Sequence, residues 1–137
     1  MPRISEMTDV DFNGIENPYV PPKELRISPK LRLHKQWDEN VDPVTYEVVR
    51  HNLWQINEEH GATIQRLSGS PVAMYALDLN PSILTEDAEF VYFGPYMQYM
   101  SGVTDTQVKW TMEFRSDNPG INEGDMFIAN DPWVGAA

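Results

Sequence analysis

The chain has 137 residues, a formal net charge of −11 and no cysteine. That length suits one domain, and 21 Asp and Glu against 10 Lys and Arg argue against a nucleic-acid surface, which needs clustered cations to release counterions, and against docking on anionic membranes. Without cysteine there are no disulfides, thiolate zinc sites, Fe–S clusters or Cys nucleophile.

No apolar run approaches the ~20 residues of a membrane span. The opening Met-Pro-Arg-Ile-Ser-Glu leads into acids rather than an apolar stretch, so no secretory leader is expected. A cytoplasmic location is the expectation. Charge is unevenly placed. Residues 1–41 carry six Lys and Arg against seven Asp and Glu, whereas residues 42–137 carry four against fourteen. Texture changes at the same boundary, which divides the chain into an arm, 1–41, and a body, 42–137.

Five of eleven prolines lie in the arm: Pro2, Pro18, Pro21, Pro22 and Pro29. Each fixes φ, removes a donor and biases its predecessor away from helix, so the arm is read as extended. It also carries Ile15, Tyr19, Leu25, Ile27, Leu31, Leu33 and Trp37, more apolar weight than a disordered tail usually has. Leu25, Ile27, Leu31 and Leu33 at odd positions give an extended segment one apolar side. Tyr19, Leu25, Ile27, Leu31, Leu33 and Trp37 are therefore candidates for contact with a surface, either the chain's own core or a partner subunit, with the partner preferred. Lys23, Arg26, Lys30, Arg32 and Lys35 alternate with them and would meet acidic groups.

In the body, Asp42-Pro43 is a helix start, with Asp as N-cap and Pro at the first position. Val49, Leu53, Ile56, His60, Ile64 and Leu67 then recur at helical spacing, and Ser68-Gly69-Ser70-Pro71 stops the run. Such a helix is long for a small domain, so part of this face is expected to pack outside the fold; Gly61 within it reads as close packing, a bend or simple tolerance. Residues 72–79 and 89–93 read as strands joined through an Asn80-Pro81 turn and an acidic turn at 86–89. A second helix follows, capped by Thr104, with Val103, Gln107, Trp110 and Phe114 along one stripe. Residues 126–129 read as a short buried strand. The fold class is α+β: a long helix and a second helix packed on a few short strands, preceded by a Pro-rich arm.

Chemistry is sparse. His34, His51 and His60 show no metal-ligand spacing, and His60 is expected to be buried and hydrogen-bonded. No metal site is predicted. Glu58, Glu59, Asp87 and Glu89 read as solvated surface. No phosphate loop, nucleophile elbow or His-Glu-x-x-His motif occurs. Asn130-Asp131-Pro132 follows the last strand, where loops often hold functional groups. The simplest reading of Asp131 is an Asx turn bonding its own backbone.

Asp42-Pro43-Val44-Thr45-Tyr46-Glu47-Val48-Val49-Arg50 resembles the opening of the hydantoinase B family, which includes large subunits of ATP-dependent ketone carboxylases. Glu58-Glu59-His60-Gly61-Ala62-Thr63, Arg66 and Ser70-Pro71 resemble that family's first helix and its exit. Pro119-Gly120-Ile121-Asn122-Glu123-Gly124-Asp125-Met126-Phe127-Ile128-Ala129-Asn130-Asp131-Pro132 resembles its P-G-I-x-x-G-D-x-F-x-x-N-D-P segment. Two departures stand out. Family chains run to several hundred residues, with a Gly-rich turn and a His-x-x-Asp-type stretch after Asn-Asp-Pro that serves as metal-site material in some members. Residues 75–93 also keep few of the family's polar residues. Only Asn130 and Asp131 carry over, as a loop near the site; the catalytic residues stay unassigned.

The resemblance implies that residues 42–137 are the N-terminal segment of a hydantoinase-B-like module, completed by a partner chain. The expected role is a small subunit of a biotin-independent, ATP-dependent ketone carboxylase of the acetophenone-to-benzoylacetate type, using bicarbonate. It would be structural or site-completing and inactive alone. ATP and a divalent metal ion would belong to the complex, with hydantoinase-A-like and hydantoinase-B-like subunits as partners and no cofactor on this chain. The alternatives are a subunit of an ATP-dependent hydantoinase or oxoprolinase-type cyclic amidohydrolase, and a non-enzymatic assembly module.

Overall fold

The structure is a computed structural model and describes residues 18–135. Pro2, Ile15 and the Met1–Glu6 start on which the leader reading rests lie outside the described residues. The body begins with helix α1, Pro43–Leu67. Asp42 caps it as the sequence requires: its carboxylate accepts from the Thr45 amide at 2.9 Å and the Thr45 hydroxyl at 3.1 Å. Ser68 closes the helix through its amide to the Ile64 carbonyl, and Gly69 turns the chain with φ at +66°.

The inward face of α1 differs from the predicted one. Asn57 and Gly61 are its buried residues, with Arg50, Leu53, Ile64 and Gln65 half-buried. At about 100° per residue, this face is turned roughly 90° from the line through Val49, Ile56 and His60. His60 is exposed, as are Val49, Ile56 and Leu67, the last at 79%. The expectation of a buried His60 is therefore corrected. The cause is Gly61. A Cβ there would run into the ring of Tyr96, so the one position without a side chain admits the neighbouring aromatic and sets the helix rotation. Of the readings open for Gly61, the structure shows close packing.

Residues 72–79 do not form a strand. Helix α2, Pro71–Tyr75, takes their place, because Ser70-Pro71 repeats the start signal of α1: the Ser70 hydroxyl accepts from the Ala73 amide and Pro occupies the first turn. Leu77 then takes a positive φ of 56°, which breaks both helix and strand. Gln65 Nε2 donates to the Met74 carbonyl at 3.0 Å and holds α2 against α1.

Strand β1, Ser82–Leu84, pairs antiparallel with β2, Phe90–Phe93, with a slip between Ile83 and Leu84. The intervening turn is acidic, as read from sequence, and is tied by Thr85 to Glu89. The Tyr92 hydroxyl donates to the Arg50 carbonyl at 2.9 Å and fixes the sheet to α1. A 3-10 turn, Gln98–Gly102, leads into helix α3, Thr104–Arg115. Val103 occupies the cap position without a side-chain bond, while the Thr104 hydroxyl donates back to the Met100 carbonyl. Thr104 is thus inside the helix rather than its cap.

Residues 126–129 form no strand among the described residues. Met126 is 92% and Ile128 100% exposed, which corrects the buried-strand expectation: the segment has the composition of a core strand, but the described chain supplies no neighbour for it. Mixed helices and a small sheet make the fold α+β. Its buried apolar side chains among the described residues are Ala73, Ala88, Met112 and Val134. No helix of the described residues is long and apolar enough to cross a membrane.

Candidate functional site

Three segments converge on α3. The first is the turn after Asn130. Asp131 accepts from the Trp133 amide at 3.0 Å and caps a 3-10 turn, Pro132–Val134, so its carboxylate is occupied by its own backbone. Gly135 follows with φ at +87°, packed where a Cβ would collide with the Val103 carbonyl. That glycine lets the turn seat on the start of α3. Asn130 is exposed.

The second segment is the arm. The Tyr19 amide donates to the Trp133 carbonyl at 2.8 Å, and its hydroxyl donates to Glu113 Oε2 at 2.7 Å. Its ring meets Phe114 edge-on at 5.9 Å. Burial, and then the Glu113 carboxylate, push the phenol well above its ordinary 10, so it remains a donor at physiological pH. Tyr19 and Glu113 thus link the arm, α3 and the Asn-Asp-Pro turn. Tyr19 carried the apolar signal of an arm contact, but no sequence period marked Glu113 as its partner. Further along, the Ser28 amide donates to the buried Ser116 hydroxyl at 2.9 Å.

Leu25, Ile27, Leu31 and Leu33 are half-buried while Arg26, Lys30, Arg32 and His34 are exposed. Leu31 and Leu33 line a groove of about 510 Å³ with Val108, Met112, Ile121 and Phe127. Leu25 and Ile27 line a second groove with Met112 and Lys109. The structure brings these four onto the chain's own body and leaves Trp37 outside it, 77% exposed.

The third segment is the acidic turn. His34 Nδ1 lies 2.8 Å from Glu86 Oε2, and the His34 amide also donates to that carboxylate. The hydrogen bond to Glu86, then its charge, raises His34 above 6.5; the same hydrogen bond lowers Glu86. Lys23, Arg26, Lys30, Arg32 and Lys35 form no ion pair among the described residues, so the pairing expected of them with the acidic body is not found there; the arm's contact with the acidic turn is made by His34 instead. Lys109 joins Glu89 at 3.1 Å to Asp105 at 3.2 Å. Burial alone would lower Lys109, but the two carboxylates outweigh it and raise it.

These contacts fix the arm, the acidic turn and the Asn-Asp-Pro turn on α3. Among the described residues no three His, Asp or Glu side chains converge to hold a metal ion. The unmet demand is apolar. Val44, Val48, Val49, Ile56 and Leu67 on α1, Tyr75 after it, and Met126 and Ile128 near the end all face solvent. Asn57, 2% exposed, buries an Oδ1 without a hydrogen-bond partner among the described residues.

Comparison with known proteins follows the same line. The Hydantoinase B/oxoprolinase family model matches residues 42–137. A protein named 5-oxoprolinase 1 from Arabidopsis thaliana is 25% identical over 114 residues, covering 83% of this chain and 9% of its own length. Uncharacterised proteins from Schizosaccharomyces pombe and Methanocaldococcus jannaschii are 25% and 26% identical over 70% and 69% of this chain. The chain spans 8% of the first and 17% of the second, so it corresponds to a small part of each relative. No solved structure matches. With most of its length matched by the family model, the chain belongs to the Hydantoinase B/oxoprolinase family.

Proposed function

We propose that this chain is a structural or site-completing component of an ATP-dependent enzyme of the hydantoinase/oxoprolinase type, acting only once joined to larger chains. The observation that carries the reading is the exposed apolar surface of α1 and residues 126–128 in a family member that spans 17% or less of the relatives compared. Surface of that kind marks a subunit contact. In this reading ATP and the divalent metal ion belong to the complex with hydantoinase-A-like and hydantoinase-B-like partner chains. Asn130 and Asp131 lie near the site in this reading, with Asp131 holding the loop's shape.

Within that class, the finer proposal is the small subunit of a biotin-independent ketone carboxylase that converts acetophenone and bicarbonate to benzoylacetate. The second reading, an amidohydrolase subunit that opens a cyclic amide, is favoured by the relative named 5-oxoprolinase 1. Co-expression with the larger chains separates them. ATP consumption that depends on acetophenone and bicarbonate supports the carboxylase, and ATP consumption that depends on 5-oxoproline or a hydantoin supports the amidohydrolase. Full activity of the large chains without this one contradicts both.

A further inference from the structure

Resting on that reading, we propose that Met126–Asn130 is a β-strand awaiting its neighbour, and that the neighbour is a strand from the remaining hydantoinase B portion on a partner chain. The backbone carries the first argument. Asp125 and Val134 on either side make local backbone hydrogen bonds, but no backbone bond joins residues 126–130 to any other described segment. A five-residue run of donors and acceptors unpaired among the described residues spans about 17 Å, an ordinary strand length, and is a ready template for pairing. The side chains carry the second. Phe127 lines the groove beneath the arm with Leu31, Leu33 and Met112, while Met126 and Ile128 on either side of it stand almost wholly in solvent. That alternation has the period of two of a strand with one face anchored on its own chain.

Charge and length identify the occupant. Residues 116–137 contain Asp117, Glu123, Asp125 and Asp131 and no Lys or Arg. A second copy would set the same acids against one another. A strand with apolar residues opposite Met126 and Ile128, and Lys or Arg at its ends, satisfies both apolar and charged demands. The family match includes this segment, and the chain covers 17% or less of the relatives compared. Under the functional reading above, the remainder of that module is the partner of matching kind.

The test is hydrogen exchange on the full chain co-expressed with a large hydantoinase-B-like chain. In the complex, the amides of residues 126–130 should exchange at least about 100-fold more slowly than an unpaired strand. Ile128→Pro, which deletes one donor, should reduce recovered complex by at least about tenfold, while Ile128→Thr, which keeps the donor and a β-branched shape, should assemble. A complex that forms with these amides unprotected overturns the strand proposal and leaves the functional reading intact. Equal assembly of the proline variant overturns it as well, and protection in a homodimer assigns the edge to a second copy. If no hetero-complex forms, the functional reading falls, and this edge with it.

Discussion

The two long helices are covered to different degrees. Every residue of α3, Thr104–Arg115, is at least half-buried, wrapped by the arm, the acidic turn and the Asn-Asp-Pro turn. Most of the 25 residues of α1 are exposed, and its outer side carries Val44, Val48, Val49, Ile56 and Leu67. The contrast separates what the described residues cover from what they leave exposed. Around α3, hydrogen bonds and aromatic contacts close on one another. Along α1, an apolar side is made but nothing among the described residues covers it.

The comparison can be broken most forcefully at the closed end. Gly135→Ala places a Cβ against the Val103 carbonyl at a positive φ, and should cost roughly 2–3 kcal/mol. The readout is the denaturation midpoint of the assembled complex. An unchanged midpoint would mean that the turn is not seated on α3. Next, Tyr19→Phe leaves the buried Glu113 without its hydroxyl donor and should cost about 1–3 kcal/mol. Faster exchange of arm amides near residue 19 accompanies it.

The open side responds in assembly rather than stability. Val49→Asp with Ile56→Asp changes two exposed positions. The circular dichroism of the free chain should hold while recovery of the hetero-complex drops at least about tenfold. A complex formed at wild-type yield would place the partner elsewhere. A smaller effect is expected at Asp131. Asp131→Asn can keep the bond to the Trp133 amide, so the complex should stay active; Asp131→Ala loses the cap, at about 0.5–1 kcal/mol. Loss of activity in the Asn variant alone would assign the carboxylate a chemical role instead.

The smallest effect is the pH dependence of arm docking. His34 is raised and Glu86 lowered by their mutual bond. The His34 contribution is fully present below 6.5 and is lost as pH rises through its raised value. The Glu86 contribution is lost as pH falls through its lowered value. Proteolytic cleavage at Lys30 and Lys35 should accelerate above the raised His34 value, and His34→Gln should flatten that rise.

Much of the fold was legible where one residue type decides the local geometry. Asp42-Pro43 starts α1, the Glu86–Glu89 segment turns, Phe90–Phe93 pairs, and Asp131 bonds its own backbone as turn chemistry dictates. The misreadings have specific causes. Ser70-Pro71 ends one helix and begins another, and the sequence signal for the two is the same. The rotation of α1 depends on Tyr96 entering over Gly61, a contact between distant residues that helical spacing does not encode. Residues 126–129 have the composition of a buried strand because hydrophobicity records that a segment favours burial, not whether the described residues provide it. The family of the body was legible in its motifs, while the Tyr19–Glu113 and His34–Glu86 links left no periodic trace.

Native mass spectrometry of the chain co-expressed with large hydantoinase-A-like and hydantoinase-B-like chains addresses the central claim most directly. The account predicts a hetero-complex containing this 15.7 kDa chain, with the chain alone unfolding at low denaturant and without a sharp transition. A stable monomer that unfolds cooperatively in two states and ignores the larger chains would contradict it.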